Sequence, residues 1–135
     1  MPELRLEMPG VPPTGNHYKG VQVMTPRSGK AFVKWYVTTA AEGWYWDLSI
    51  IAAGRKLRGA TYTVSYAVYT AGGVVTDVDN YAKCILDGLA KAGVIDNDKK
   101  VIDLHGYRRI DRANPRTVII VRTDQEQMFG GNECK

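Results

Sequence analysis

Cysteine is scarce in this 135-residue chain, with only Cys84 and Cys134 and no second pair. Cys84 falls inside a helical pattern, so the spacing supports neither a disulfide framework nor a zinc site, and a reducing compartment is expected. Long apolar runs are missing as well. None approaches the roughly 18 residues of a membrane span. The start, MPELRLEMPG, alternates charged and apolar residues where a signal peptide would carry an apolar block. These absences predict a soluble cytoplasmic protein with no membrane partner. Histidine is limited to His17 and His105, too far apart and too poorly accompanied to make a His-based site.

Acid is unevenly missing. The formal net charge is +4, and no Asp or Glu occurs between Glu7 and Glu42, where Lys19, Arg27, Lys30 and Lys34 alternate with Tyr18, Phe32, Trp35 and Tyr36. Basic groups spaced among aromatics are how a phosphate-contacting surface with stacking platforms is written, and Lys19, Arg27, Lys30 and Lys34 are its candidate DNA contacts. A second acid-free stretch, between Asp47 and Asp77, holds Arg55, Lys56 and Arg58. A third basic segment runs through Arg108, Arg109, Arg112, Arg116 and Arg122. An ordinary solvated surface with excess Lys and Arg accounts for the same charges.

What is present fits one compact domain: 44% hydrophobic and 24% charged residues, with 14 Gly and 6 Pro. The domain is predicted over residues 1–123, and DQEQMFGGNECK, residues 124–135, reads as a poorly ordered tail. Leu4, Leu6 and Met8 alternate with Glu3, Arg5 and Glu7, the pattern of a half-buried strand that stops at Pro9-Gly10. The stretch VQVMTPRSGKAFV predicts a hairpin turning at Arg27-Ser28-Gly29. Helical spacing of Val37, Ala40, Trp44, Leu48 and Ile51 predicts a helix from about Val37 to Leu57, with Trp44 in the core. Residues 60–69 alternate as the clearest strand, and Val78, Ala82, Ile85, Leu89 and Ala92 mark a second helix that starts on capping acids and stops at Gly93. Two last strands, about 100–109 and 116–122, are predicted to pair as a hairpin through Asp111 to Pro115. The sum is an α+β fold, a small mixed β-sheet covered on one face by two helices.

The chemistry concentrates in VVTDVDNYAKCILDGLAKAGVIDNDKKV, residues 74–101. Asp77 and Asp79 lie two apart at the end of an extended segment, where alternate side chains share a face, and Lys83 follows Asp79 by one helical turn. Asp96 and Asp98 follow the helix, while Asp87 stands at helical spacing from Lys83 and Lys91. Carboxylates brought together repel unless a hard cation joins them, and Mg²⁺ takes few carboxylates in an oxygen shell completed by water and substrate phosphate. On a basic protein that arrangement points to metal-assisted phosphodiester hydrolysis. The same acids also read as ordinary N-caps, turn residues and surface i,i+4 pairs.

The segment DVDNYAKCILDGLAKAGVIDND, Asp77 to Asp98, resembles the DxDN…K…LDxLxxAGxxxDD signature of the RusA family of Holliday-junction resolvases, small endonucleases of bacteria, phages and prophages. PPTGNHY, residues 12–18, is similar to that family's N-terminal PPSxNxxY-type loop. The resemblance covers roughly residues 2–123 and departs at Thr14 for Ser and Asn97 for Asp. It implies that Asp77, Asp79 and Asp98 are metal-binding catalytic carboxylates and Lys83 the catalytic lysine. It implies Mg²⁺, with Mn²⁺ as a substitute. Asn16 becomes a candidate DNA contact, although Asn is equally an ordinary turn residue. The implied activity is resolution of four-way DNA junctions by paired symmetrical nicks during recombination and repair. A two-fold substrate is matched most simply by a homodimer. A non-catalytic basic DNA-binding module and a general branched-DNA or flap nuclease are the rival readings.

Overall fold

In the computed structural model of the chain, the described residues are 2–13, 19–25, 27, 29–73 and 78–124. Asn16 and Asp77 therefore lie outside the described residues, and Lys19 and Lys34 are described only as backbone. Six strands and two helices follow in the order β1 (Glu3–Pro9), β2 (Lys19–Met24), β3 (Phe32–Val37), α1 (Thr39–Ala52), β4 (Tyr62–Thr70), α2 (Ala82–Lys91), β5 (Val101–Ile110) and β6 (Arg116–Thr123). A four-stranded sheet runs β1-β6-β4-β5, and β2 with β3 forms a separate antiparallel pair. The expected α+β class, mixed sheet and early hairpin are all present.

β1 buries Leu4, Leu6 and Met8 and turns Glu3, Arg5 and Glu7 outward, as its alternation predicts. β4 buries Tyr62, Val64, Tyr66 and Val68 by the same period-two logic. The core between this face and the helices takes Trp44, Tyr45 and Leu48 from α1 and Ile85 and Leu89 from α2. The helices cross closely at Gly88, where a β-carbon would lie 2.9 Å from both Leu48 Cδ2 and Trp44 Cζ3. Only a residue without a side chain fits there without repacking.

Three sequence expectations are corrected. The first helix is shorter than Val37 to Leu57. The Thr38 hydroxyl accepts from Ala41 N–H at its start, while left-handed Ala53 and Gly54 end it. Arg55 then donates to the carbonyls of Ile51 and Ala52. The second helix has no side-chain cap: a 3-10 turn, Val78–Tyr81, leads straight into it, and Asp79 sits inside that turn. Its exit is as expected, with Gly93 left-handed at φ 78°.

The third correction concerns the last two strands, which do not pair with each other. β4 lies between them, parallel to β5 and antiparallel to β6. The turn at 111–115 is real, with Arg116 bonding Asp111 at 2.8 Å. It connects non-adjacent strands because β6 buries Thr117, Val118, Ile119 and Val121 and takes neighbours on both edges, β1 and β4. Asp124 Oδ1 accepts from the N–H groups of Ala60 and Thr61, which ties the end of β6 to the entry of β4.

Candidate active site

The two ends of α2 carry the acids. At the N-terminal end, the Tyr66 hydroxyl donates to the Val78 carbonyl at 2.7 Å, which anchors the 3-10 turn over the sheet and holds Asp79 on the surface beside β5. Asp79 lines an open depression with Val78, Gly106, Tyr107, Arg108 and Arg109. Gly106 makes the close approach possible, since a β-carbon there would lie 2.6 Å from the Tyr66 hydroxyl oxygen. One glycine on β5 thus lets the tyrosine that fixes the Asp79 turn reach its carbonyl.

At the C-terminal end, the loop acids part company. Asp96 Oδ2 meets Lys100 Nζ at 2.9 Å and Oδ1 accepts from the Tyr62 hydroxyl at 2.9 Å. The hydrogen bond from Lys100 holds the Asp96 carboxyl below the usual carboxylate range. Asp96 is committed to fastening the loop onto β4. Asp98 opens a second 3-10 turn whose cap is Asn97, with its side-chain oxygen accepting from Lys99 N–H. The residue that departs from the RusA-type signature therefore keeps a structural task, presenting Asp98.

By its spacing alone, Asp87 is a helical pairing partner for Lys83 and Lys91. In the structure its half-buried carboxyl is pushed up, first by burial and then by the negative charge of Asp98, with Lys91 acting in the opposite direction. Lys83 Nζ lies 3.4 Å from Asp87 Oδ1, one turn away on α2. Lys83 and Asp87 on the helix and Asp98 in the turn that follows it therefore form one electrostatic group. The sequence signal that could have found Asp87 is its position one residue after Leu86 and two before the buried Leu89, at the edge of the apolar stripe.

Among the described residues no three metal-ligating side chains come together. The donors these elements offer, Asp79, Asp87 and Asp98, are all carboxylates with no thiolate or imidazole among them, which is the chemistry of a hard divalent cation. The charge of Asp98 already adds to burial in raising the Asp87 carboxyl, a repulsion that a cation relieves. Cys84 is buried and its thiol pushed up to about 12 by burial, so it is neither ligand nor nucleophile.

The basic segments divide. Arg58 donates to the carbonyls of Leu57, Gly93 and Val94, which with Arg55 removes two cations of the second acid-free stretch to structural work. Arg116 and Arg122 pair with Asp111 and Glu3, and Arg112 bonds the Ala71 carbonyl. Arg108 and Arg109 line the same depression as Asp79. In the β2–β3 connection, Arg27 and Lys30 are exposed. Pro12 and Pro13 line a depression with Thr39, Gly43, Trp44 and Asp47 at the start of α1. No helix among the described residues is long and apolar enough to cross a membrane.

An acidic helix-and-flank unit on a basic α+β body defines a nuclease class, and the family comparison agrees. The model of the family described as endodeoxyribonuclease RusA matches residues 9–122, and the chain belongs to that family. It is also similar to the crossover junction endodeoxyribonuclease RusA of Aquifex aeolicus (strain VF5), at 27% identity over 126 residues that cover 93% of this chain and 95% of the relative.

Proposed function

We propose that this endodeoxyribonuclease resolves four-way DNA junctions by paired symmetrical nicks, acting as a Mg²⁺-dependent homodimer in the bacterial cytoplasm. The nuclease domain spans residues 1–123. The observation that carries the reading is Asp98 standing near enough to raise the Asp87 carboxyl, beside Lys83, while Asp79 at the start of α2 lies in a depression also lined by Arg108 and Arg109. Asp77, Asp79 and Asp98 are the residues that would hold the cation, for which the all-carboxylate donor set is suited. When bound, such an ion supplies Lewis-acid charge at the phosphate and lowers the pKa of water.

The chain's own groups do the rest. Lys83, steered by Asp87, puts a positive charge where the attacking and departing oxygens of the phosphodiester become negative. Arg108 and Arg109 hold the strand entering the depression. Asn16, Lys19, Arg27, Lys30 and Lys34 add contacts to the DNA backbone. The phosphorus–oxygen bond breaks as water adds, leaving one new phosphate terminus and one hydroxyl. Labelled four-way, flap and linear duplex DNA, incubated with Mg²⁺ or with EDTA, test this reading. Cleavage of the four-way substrate alone, abolished by EDTA, is expected. Equal cutting of flaps indicates a general branched-DNA nuclease, and binding without any cleavage indicates a non-catalytic module.

A further inference from the structure

We propose that the face of the sheet turned away from the helices carries a pocket that takes one unpaired base of a DNA strand, stacked on Tyr107. β4 buries Tyr62, Val64, Tyr66 and Val68 against the helices, so Ser65, Ala67 and Tyr69 point to the other face. There Ala67 stands between Val118 of β6 and Tyr107 of β5, and Ser65 stands between Ile120 and His105. Neighbouring strands lie about 4.8 Å apart, so the backbones at Val118 and Tyr107 are about 9.6 Å apart with only a methyl group between them. The result is a cavity of about 290 Å³, with Ala67 and Ser65 at its floor and Val118, Ile120, Tyr69 and Tyr107 around it. That volume is at the small end for ligand pockets and suits one flat ring.

The remaining lining gives the ligand its charge. Arg5 and Arg116 line the cavity, and among the described residues no acid does. Arg116 gives one guanidinium nitrogen to Asp111 and the Asn114 carbonyl and lies 3.9 Å from the centre of the Tyr69 ring. Its other donors remain for a ligand. Arg5 meets Glu7 at 3.5 Å, with both side chains about half exposed, a pair that contributes little. Arg109 lies 5.4 Å from the centre of the Tyr107 ring. A cation set over one face of a ring holds it in place and leaves the other face to a second flat group. Apolar sides, two ring faces and unspent guanidinium donors fit a heteroaromatic ring that carries an anion, which is the chemistry of a nucleotide. An apolar protein side chain would fill the floor and leave those donors unused.

Position ties the cavity to the proposed cut. Tyr107 also lines the Asp79 depression, so the two hollows share a wall on β5. The proposal rests on the nuclease reading above for the source of the nucleotide and adds a place for its base. A base inside a duplex is stacked on both sides, and taking it out costs a few kcal/mol, least where it is already unpaired. A pocket for one ring therefore favours DNA with an unpaired nucleotide near the scissile phosphate. Stacking is tolerant of base identity, so this selects the shape of the substrate and not its sequence.

Capture is measured without cleavage, in EDTA, with the full chain and a short single-stranded oligothymidylate carrying one 2-aminopurine, whose fluorescence falls when it stacks on a ring. Wild type should quench it saturably, and the same 2-aminopurine paired in a duplex should show no such quenching. Tyr107→Ala, at a position 46% exposed, and Ala67→Leu, which fills the cavity, should each weaken binding of the single strand roughly tenfold, the scale of one lost base stack. Tyr107→Phe should bind like wild type, because the ring and not the hydroxyl does the stacking. Arg5→Ala should flatten the salt dependence by about 0.7 for one lost phosphate contact. No quenching by wild type, or binding unchanged in both Tyr107→Ala and Ala67→Leu, overturns the pocket. Equal quenching in the duplex overturns the selection of an unpaired base. Loss in Tyr107→Phe as large as in Tyr107→Ala overturns the stacking, and an unchanged salt slope overturns the role of Arg5. If Ala67→Leu alters sedimentation of the protein and leaves oligonucleotide binding alone, the cavity receives a protein side chain and the proposal falls. Capture by a protein that cuts no DNA in Mg²⁺ keeps the pocket and overturns the nuclease reading.

Discussion

On the antiparallel side of β4, toward β6 and β1, charge meets opposite charge: Arg122 lies 2.7 Å from Glu3, Arg116 2.8 Å from Asp111 and Arg5 3.5 Å from Glu7. On the parallel side, around α2 and β5, opposite charges also pair, Lys83 with Asp87 and Lys100 with Asp96, but like charges are brought together beside them. Asp98 raises the Asp87 carboxyl, Asp79 rests in a turn without serving as a cap, and Asp103 meets no cation among the described residues. Exposed pairs of the first kind contribute little to stability individually, but they leave no charge seeking a partner. Charges of the second kind reduce stability unless a ligand completes them. The difference separates a half of the sheet whose exposed charges are paired from a half in which Asp98 and Asp87 repel.

The sharpest way to break that comparison is to neutralise the acids proposed to hold the cation. Asp77→Asn, Asp79→Asn and Asp98→Asn should each lower junction cleavage on the order of 10³-fold, the scale expected when a group acting on transition-state charge is lost. Folding stability should hold or rise, since removing a negative charge near another relieves repulsion. Asp98→Asn carries a further readout: the Asp87 carboxyl, titrated by NMR, should move down toward its ordinary value. Cleavage retained in all three variants would sink the assignment of these acids to the site.

Lys83→Ala comes next. Its ammonium is one cation among 18 Lys and Arg, so DNA affinity should change little. Turnover should fall by roughly 10²-fold, because a positioned charge acts on the transition state. Equal loss of affinity and turnover would make it an ordinary phosphate contact.

The helix crossing gives a test confined to the fold. Gly88→Ala must fit a methyl group 2.9 Å from Leu48 Cδ2 and from the rigid ring of Trp44. Overpacking of this kind costs about 1–3 kcal/mol and the gain in helix propensity returns up to about 1 kcal/mol, so a net loss of about 1–2 kcal/mol is expected in urea denaturation. A variant more stable than wild type would show that the helices have room to separate.

Legibility in the sequence follows how local each signal is. β1, β4 and the exit of α2 are written in alternation, helical spacing and a terminal glycine, all readable within a dozen residues. The pairing of β5 and β6 is not, because a good turn says that the chain reverses and not which strands end up adjacent. A usable clue was RTVIIVRT: a near-continuous apolar run belongs to a strand with two neighbours, whereas VIDLHGYRRI has the polar content of an edge. At the site, Asp96 and Asp98 look interchangeable in sequence. Tyr62 and Lys100 decide between them, and Tyr62 reaches Asp96 from 34 residues away.

That division yields the smallest expected effect. The Asp96 carboxylate is stabilised in the fold by the Lys100 hydrogen bond foremost, so its folded pKa lies below its unfolded value, ordinarily about 3.9. A group so lowered adds stability at pH above the unfolded value and loses it as pH falls through the folded one. Asp96→Asn keeps an acceptor for the Tyr62 hydroxyl and removes only the charge. The variant should therefore be slightly less stable than wild type at neutral pH, with the gap small because both partners are more than a third exposed. Urea midpoints measured down the acid side should converge below about pH 4 as the wild-type carboxylate takes up its proton. A gap that widens in acid would mean that this carboxyl is held in its neutral form, and that the loop is fastened by something other than the Lys100 pair.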